Sequence, residues 1–201
     1  MFPELLRKHL SGIVDLPDAQ VGALAAHYEL MLRWNNVLNL TAVRTVEEAV
    51  VRHYCEAVFL AVHLPVGALR VADIGSGAGF PGIAVAVLRP DCACALIESH
   101  QRKAVFLREA TRGLSNVEVL GCRADEVTEH FDHAVSRAVS YEDLVPYLKH
   151  LGEYADLLTG SEGPPAALGF SWDYLVRLPW GDRRFLRMGH RVTEKEADGD
   201  A

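Results

Sequence analysis

Apolar and polar residues follow a helical period in the first third of the chain. From Pro17 to about Leu38, apolar residues recur at helical spacing, which predicts a helix with one buried face. A second helix is predicted from Val46 to about His63, because Thr45-Val-Glu-Glu has the form of a capping box and Leu64-Pro65 breaks the pattern. We therefore predict an N-terminal helical extension over residues 1–65.

Beyond residue 66, short apolar runs alternate with amphipathic segments. The runs predict strands ending at Ile74, Ile97, Leu120, Ser136 and Leu158. Helices are predicted between them at Ile83–Leu88, Gln101–Arg112 and Leu144–Leu151. Strands that alternate with helices build a mostly parallel sheet with helices on both faces.

Two further apolar runs, Tyr174–Leu178 and Arg184–Met188, flank a turn and predict a closing β-hairpin. The segment Gly160–Gly169 is rich in proline and glycine and predicts a loop. We thus expect one α/β domain over residues 66–192, followed by a polar tail at 193–201.

The stretch LRVADIGSGAGFPG, from Leu69 to Gly82, ends a predicted strand in a glycine-rich turn. Its glycines are Gly75, Gly77, Gly79 and Gly82. Glycine permits positive φ and allows a ligand to approach the backbone closely. Glu98 follows the next strand, which completes a layout typical of a nucleoside-binding crevice.

Asp73 distinguishes between the nucleosides that such a crevice binds. A carboxylate beside the loop repels a pyrophosphate but suits the ammonium and sulfonium of S-adenosylmethionine (SAM), so we predict SAM, with Glu98 accepting hydrogen bonds from the ribose. A dinucleotide stays as an alternative, because Gly77-x-Gly79-x-x-Gly82 fits its glycine pattern, although two residues late for a strand that ends at Ile74.

Composition narrows the class of protein further. The chain has 201 residues, a net charge of −7 and a sequence pI near 5.7, which argues against binding nucleic acid by bulk electrostatics. Four cysteines without a CxxC pair and nine histidines without a ligand spacing predict reduced thiols and no metal. No apolar run approaches the ~18 residues of a membrane span, and the N-terminus does not resemble a signal peptide. We therefore expect a cytoplasmic location.

Several stretches together resemble the bacterial ribosomal RNA small-subunit methyltransferase G family, also called glucose-inhibited division protein B. They are WNNVLNLTAVR (34–44), Arg52-His53, DIGSGAGFPG (73–82), RKAVF (102–106), RADEV (123–127) and FDHAVSRA (131–138). The resemblance implies a Rossmann-like class I SAM-dependent methyltransferase fold. It also implies methylation of N7 of a guanine in 16S rRNA of the small ribosomal subunit, with S-adenosylhomocysteine as product.

The resemblance places SAM contacts on five residues: Gly75, Phe80, Ala124, Asp125 and Arg137. For two of these residues, another role is also possible from the sequence. Asp125 either accepts from the adenine amino group or caps a following helix. Arg137 either pairs with the methionine carboxylate, reaches the RNA, or forms a structural ion pair with Asp132 or Glu142.

The expected RNA-facing residues precede the sheet. They are Asn39, Thr41, Arg44, Arg52 and His53, and for His53 a buried structural hydrogen bond is the alternative. The hairpin adds arginines that contact RNA or form a solvated edge: Arg177, Arg183, Arg184, Arg187 and Arg191. No catalytic side chain is predicted, because guanine N7 carries a lone pair and no proton, so catalysis reduces to positioning.

The chain departs from the family pattern in three places. Thr159 replaces a usual lysine, the 160–169 segment is shortened, and Glu56 replaces a usual aspartate. These changes put RNA docking in question more than SAM binding. Rival interpretations are a small-molecule methyltransferase, a non-catalytic SAM- and RNA-binding protein, and an NAD-dependent oxidoreductase. We expect a monomer.

Overall fold

The computed structural model describes residues 1–161, 163 and 169–192. Its helices are α1 (Phe2–Leu10), α2 (Asp18–Leu38), α3 (Val46–Ala49), α4 (Glu56–His63), α5 (Gly82–Leu88), α6 (Gln101–Ala110) and α7 (Tyr141–Leu151). Its strands are β1 (Arg70–Ile74), β2 (Ala93–Ile97), β3 (Val117–Leu120), β4 (Phe131–Arg137), β5 (Gly152–Thr159), β6 (Phe170–Arg177) and β7 (Phe185–Arg191). The loop segments 162 and 164–168 and the predicted tail at 193–201 lie outside the described residues.

The strands of the described chain form one sheet in the order β3-β2-β1-β4-β5-β7-β6. The first five strands in sequence pair in parallel, and β7 pairs antiparallel with both β5 and β6. The predicted mostly parallel α/β sheet and its closing hairpin are confirmed. Strand order reverses between β1 and β4, which in open α/β sheets is where ligands bind.

The N-terminal helices share a hydrophobic core with the helices that cover the sheet. Buried side chains of α2, such as Leu24 and Met31, belong to the same cluster as Phe106 and Leu107 of α6. Each such side chain contributes roughly 1.5–3 kcal/mol on full burial. The segment that the sequence assigns to an extension is therefore packed against the α/β unit over a large apolar surface.

The predicted helix from Val46 to His63 contains a π-helical segment at Val50–Cys55, between α3 and α4. It begins as predicted, with Thr45 Oγ1 accepting a hydrogen bond from the Glu48 N–H at 3.1 Å. A π segment adds a residue to the turn and rotates the side chains that follow, and such segments are frequent at functional sites. Here it carries Arg52 and His53.

Other boundaries differ by a few residues from the predicted ones. Helix α7 begins at Tyr141 rather than Leu144, because Ser140 caps it by accepting from the Asp143 N–H at 3.2 Å. Helix α1 has no specific counterpart in the sequence prediction. In the described part of the chain, no helix is both long and apolar enough to span a bilayer.

Candidate functional site

The glycine-rich loop between β1 and α5 has the backbone conformation that its sequence predicts. Gly75, Gly77 and Gly79 have φ values of +72°, +56° and +91°, a region that side chains with a Cβ rarely occupy. A Cβ at Gly75 lies 2.7 Å from Cγ2 of Val139, so this position has no room for a side chain. Position 75 therefore requires glycine for both conformation and space.

Asp73 fastens the far end of this loop. Its carboxyl group is buried, and Oδ2 accepts a hydrogen bond from the Gly82 N–H at 2.9 Å. Burial raises the pKa of Asp73 to about 7, although the Gly82 N–H acts in the opposite direction. Its Oδ1 has no hydrogen-bond partner among the described residues. The predicted contact between Asp73 and a ligand cation stays a prediction.

Glu98 fixes the opposite side of the same loop. Its Oε2 accepts from the Gly77 N–H and its Oε1 from the His100 N–H, both at 2.8 Å. A carboxylate has about four acceptor positions, so two remain for a ligand's hydroxyl groups. The contact of Glu98 with a ribose stays a prediction.

A crevice of about 220 Å³ lies at the carboxyl ends of β1 and β2, beside the loop after β3. Its lining includes Gly75, Ser99, Ala124, Val139 and Tyr147, so the structure brings Gly75 and Ala124 together as predicted. Their contact with a cofactor stays a prediction.

Asp125 lies beside this crevice at the surface and does not cap the short 3₁₀ turn Ala124–Glu126. That position is filled by Glu126, whose Oε1 accepts from the Arg123 N–H at 2.8 Å. Asp125 instead accepts from Arg123 Nε at 3.2 Å. The carboxylate is therefore exposed next to the crevice, and the adenine contact stays a prediction.

The Phe80 ring lies beneath the loop in a buried aromatic cluster. It packs edge-on against His27 and Tyr54 and stacks on His53 at 5.0 Å between ring centroids. Because the ring is buried, we expect any cofactor contact of Phe80 to come from its backbone.

His27 supports the loop from α2, a role that the sequence analysis missed. Its Nε2 lies 3.0 Å from the Ala78 carbonyl oxygen and its Nδ1 lies 2.8 Å from the Tyr54 hydroxyl. A carbonyl only accepts, so Nε2 carries the proton and Nδ1 accepts from Tyr54. Burial lowers the pKa of His27 to about 4, which keeps the ring neutral.

Arg137, at the end of β4, pairs with neither Asp132 nor Glu142. The predicted ion pair with one of these two residues was therefore wrong. Its Nη2 donates to His53 Nδ1 at 2.7 Å, and its Nη1 lies 3.5 Å from Glu56 Oε2. The guanidinium also donates to the Arg52 carbonyl and lies over the Phe80 ring. This side chain therefore connects β4 to the π-helical segment.

His53 is buried, with both ring nitrogens hydrogen-bonded, as the structural alternative predicts. Because Nδ1 accepts from Arg137, Nε2 carries the proton and donates to Thr41 Oγ1 at 2.6 Å. Burial and the adjacent Arg137 charge lower the pKa of His53 to about 3. A direct RNA contact by this ring is not supported by its position.

Asn39, Thr41 and Arg44 share a polar depression of about 490 Å³ at the end of α2. Asn39 adopts a left-handed conformation, with φ 48°, that turns the chain after the helix. Asn35 fixes the loop by donating to the Thr41 carbonyl at 3.1 Å and accepting from the Thr41 N–H at 2.8 Å. The structure thus gathers three predicted RNA-facing residues, with Arg44 exposed.

The hairpin arginines divide between two edges of the sheet. Arg184 and Arg187 lie at the carboxyl end of β5, where Arg187 Nε donates to Thr159 Oγ1 at 3.2 Å. Arg191 lies at the opposite end and pairs with Glu153 at 2.6 Å. This edge therefore still carries a cation although Thr159 replaces the usual lysine, because the neighbouring strand β7 places the guanidinium of Arg187 there.

A second cleft, of about 440 Å³, lies at the carboxyl ends of β4 and β5. Its lining includes Arg137, Val139, Thr159 and Arg184. Ala138, also in the lining, has φ +60°, an uncommon conformation for a residue with a Cβ that often marks a functional site. Val139 lines both the crevice and this cleft, so the two spaces are adjacent.

All four cysteines are free. Over residues 1–161, 163 and 169–192, the structure contains no group of three or more His, Cys, Asp or Glu side chains that is arranged to bind a metal ion.

Comparison with known proteins agrees with this geometry. Residues 20–159 match the model of a family described as rRNA small subunit methyltransferase G. The ribosomal RNA small subunit methyltransferase G of Xylella fastidiosa (strain M23) is 43% identical over 131 residues, which cover 63% of this chain and 61% of the relative. That of Nitrosospira multiformis is 39% identical over 143 residues, covering 69% and 64%. The aligned part thus spans about three fifths of these relatives.

Several solved structures with similar folds are methyltransferases. A SAM-dependent methyltransferase from Aquifex aeolicus superposes with a TM-score of 0.58 at 18% identity, covering 72% of this chain and 93% of that chain. A ribosomal protein L11 methylase from Lactobacillus delbrueckii subsp. bulgaricus gives 0.56 at 20% identity, covering 69% and 78%. At these identities the similarity concerns the fold, and it confirms the predicted class I methyltransferase fold.

Proposed function

The chain belongs to the rRNA small subunit methyltransferase G family, and from this we propose that it transfers a methyl group from SAM to RNA of the small ribosomal subunit. The proposed acceptor atom is N7 of a guanine in 16S rRNA, as the family resemblance implies. One observation of the structure carries the proposal: a nucleoside-sized crevice and an acceptor-sized cleft adjoin at Val139 on one edge of the sheet.

The residues of the crevice suit SAM. The positive-φ loop around Gly75 leaves room for a ligand against the backbone, and Glu98 has acceptor positions for the ribose hydroxyls. Asp125, beside Ala124, offers an acceptor for the adenine amino group. When bound, SAM supplies an electrophilic methyl group on a sulfonium, and the buried Asp73 carboxyl lies under the loop.

The proposed reaction requires the protein to position its substrates and does not require it to transfer a proton. Guanine N7 has a free lone pair, so no general base is needed before attack. The described lining of the cleft contains no histidine or carboxylate side chain, which is consistent with that requirement. The contribution of the site is then to place N7 in line with the methyl group at near-attack distance.

We also infer where and with what the protein acts. A ribosomal RNA substrate places its activity in the cytoplasm, with the small subunit or its 16S rRNA as partner. The polar depression around Asn39, Thr41 and Arg44 is the proposed RNA-facing surface of the N-terminal extension (1–65), and residues 66–192 are the proposed methyltransferase domain. We propose that the protein acts as a monomer.

The decisive experiment is methyl transfer from labelled SAM to small subunits purified from a strain that lacks the corresponding gene, followed by mapping of the labelled base. We expect label at N7 of one guanine. Intact SAM binding with no label would instead support the non-catalytic protein or a different acceptor. Binding of NADH but not SAM in a parallel titration would favour the oxidoreductase.

A further inference from the structure

The cleft at the ends of β4 and β5 is positively charged, although the whole chain carries a net charge of −7. Its described lining contains two guanidinium groups, those of Arg137 and Arg184, and no carboxylate side chain. The surrounding wall adds hydroxyl groups from Thr159 and Ser161. Such a lining matches an anionic group that accepts several hydrogen bonds.

Arg184 is held in a single pose at the mouth of this cleft. Its Nε and Nη2 donate to Glu56 Oε1 and Oε2 at 3.0 and 2.6 Å, and its carbonyl accepts from the Leu178 N–H at 2.9 Å. Its side chain is 41% exposed. Its Nη1 forms no hydrogen bond within the described chain, so two N–H donors remain for a ligand.

Glu56 is the buried partner that fixes this pose. Its side chain is only 3% exposed, and it pairs with Arg184 and lies 3.5 Å from Arg137. His53, which also contacts Arg137, has a pKa lowered to about 3 and is neutral. Glu56 thus divides its charge between two guanidinium groups, so the positive charge of Arg184 at the cleft is only partly balanced.

We propose that Arg184 binds a phosphate group of the acceptor RNA strand next to the base that enters the cleft, and that Glu56 is its positioning residue. The inference rests on the proposed function and names the part of the substrate that this wall recognises. Arginine binds phosphate through paired N–H donors, and the bidentate contact with Glu56 fixes the direction in which Nη1 points.

The test compares Arg184→Gln with Arg191→Gln, two changes of equal charge on one hairpin. Both arginines are 41% exposed and both form a 2.6 Å ion pair, but Arg191 pairs with the exposed Glu153 at the opposite edge of the sheet. We expect Arg184→Gln to raise the KM for small subunits about tenfold and to reduce the salt dependence of subunit binding by about one unit of slope. SAM affinity and kcat should change little, and Arg191→Gln should leave the KM within about twofold.

Variants of Glu56 separate positioning from folding. Glu56→Gln removes the charge that holds the guanidinium and should raise the KM as Arg184→Gln does, whereas Glu56→Asp keeps the charge and should restore most of the affinity. Arg184→Lys, which keeps a cation but loses the paired donors, should lie between glutamine and wild type. Thermal unfolding of each variant checks that the change in KM is not a loss of folded protein.

Two results would overturn the inference while leaving the proposed function intact. Equal KM values for the two glutamine variants would show that only net charge matters. A loss of SAM affinity in Arg184→Gln, with unchanged subunit binding, would assign the guanidinium to the cofactor's carboxylate. If the wild-type protein transfers no methyl group, filter binding measures the affinity of wild type and Arg184→Gln for small subunits without SAM. Weaker binding by Arg184→Gln than by wild type supports the inference. Equal binding by the two proteins, or no binding by either, rejects it.

Discussion

The two halves of the sheet's carboxyl edge differ in charge and in construction. Around β1 and β2, the carboxyl groups of Asp73 and Glu98 are buried behind the crevice, and each accepts a hydrogen bond from a backbone N–H of the glycine-rich loop. Around β4 and β5, the cleft is bordered by the guanidinium groups of Arg137 and Arg184. An acidic half suits a cationic cofactor, and a basic half suits an anionic acceptor.

The halves also differ in how far apart in sequence their contacts are. The crevice is fixed by bonds within a short stretch, such as that from Gly77 to Glu98, which are 21 residues apart. The cleft depends on Glu56 reaching Arg184 across 128 residues. Cofactor binding is therefore a local property of the loop, whereas acceptor recognition requires the N-terminal helices, the sheet and the hairpin to be assembled together.

The largest effect is expected from Gly75→Val, which alters the crevice alone. Gly75 has φ +72° and its Cβ position is 2.7 Å from Val139 Cγ2, so a branched side chain both strains the loop and enters the binding space. We expect SAM affinity to fall by at least about a thousandfold, measured by calorimetry. Gly113→Val, at a position with no atom within 4 Å of its Cβ, is the control, and unchanged affinity in Gly75→Val would place SAM elsewhere.

Glu98→Ala is expected to have the next largest effect. The change removes the acceptor for the Gly77 and His100 N–H groups and the predicted ribose contact. We expect SAM affinity to fall about a hundredfold, because loop order and a charged hydrogen bond are lost together. Glu118→Ala, at an exposed position of β3, should leave affinity unchanged. Equal affinities of these two variants would contradict the assignment of Glu98.

Sequence reasoning predicted the backbone geometry of the local half, while its ligand contacts stay predictions. The glycine pattern, Asp73 and Glu98 occur at fixed spacing in one β-α-β unit, so their meeting follows from the fold alone. The mostly parallel pairing and the hairpin were likewise predicted from the alternation of periods, whereas the order of the strands in the sheet was not. The boundaries of α7 and β4 were not, because they depend on a serine cap and on pairing with a neighbouring strand.

The ion pairs of the other half were not predicted, for a physical reason. Nothing in the spacing of Glu56, Arg137 and Arg184 indicates that the three side chains meet, since each belongs to a different element. The one available signal was that Glu56 precedes an apolar run, Ala57–Ala61, in which a charged residue needs a buried partner. His27 gave a similar signal within the apolar pattern of α2.

Protonation of His27 tests the support that lies beneath both halves, since it bonds the loop at Ala78 and packs against Phe80. Its pKa, about 4 in the native state, lies below the ordinary value of about 6.5. The unfolded chain therefore binds this proton first on acidification. The stability that His27 contributes is complete above about pH 6.5 and is lost as the pH falls toward about 4.

We expect this loss to be about 2 kcal/mol between about pH 7.5 and about pH 5, and to be absent in His27→Gln. Urea unfolding at both pH values measures it. The raised pKa of Asp73 has the opposite sign, since its contribution is lost as the pH rises through about 7, but it is common to both proteins and cancels in the difference. Exposed His130→Gln is the control. Equal acid losses in wild type and His27→Gln would show that His27 is charged in the native state.

The smallest effect is expected from Arg44→Ala, at the polar depression beyond the basic half. Arg44 is exposed, and no hydrogen bond or ion pair joins it to the rest of the described chain, so its removal should leave the fold and the SAM affinity intact. Loss of one surface cation facing RNA should lower kcat/KM for small subunits about fivefold. Arg112→Ala, at an exposed position beyond the end of α6, should have no such effect. A tenfold loss of SAM affinity in Arg44→Ala would instead show that this residue contributes to SAM binding, which would contradict the division of the site into two halves.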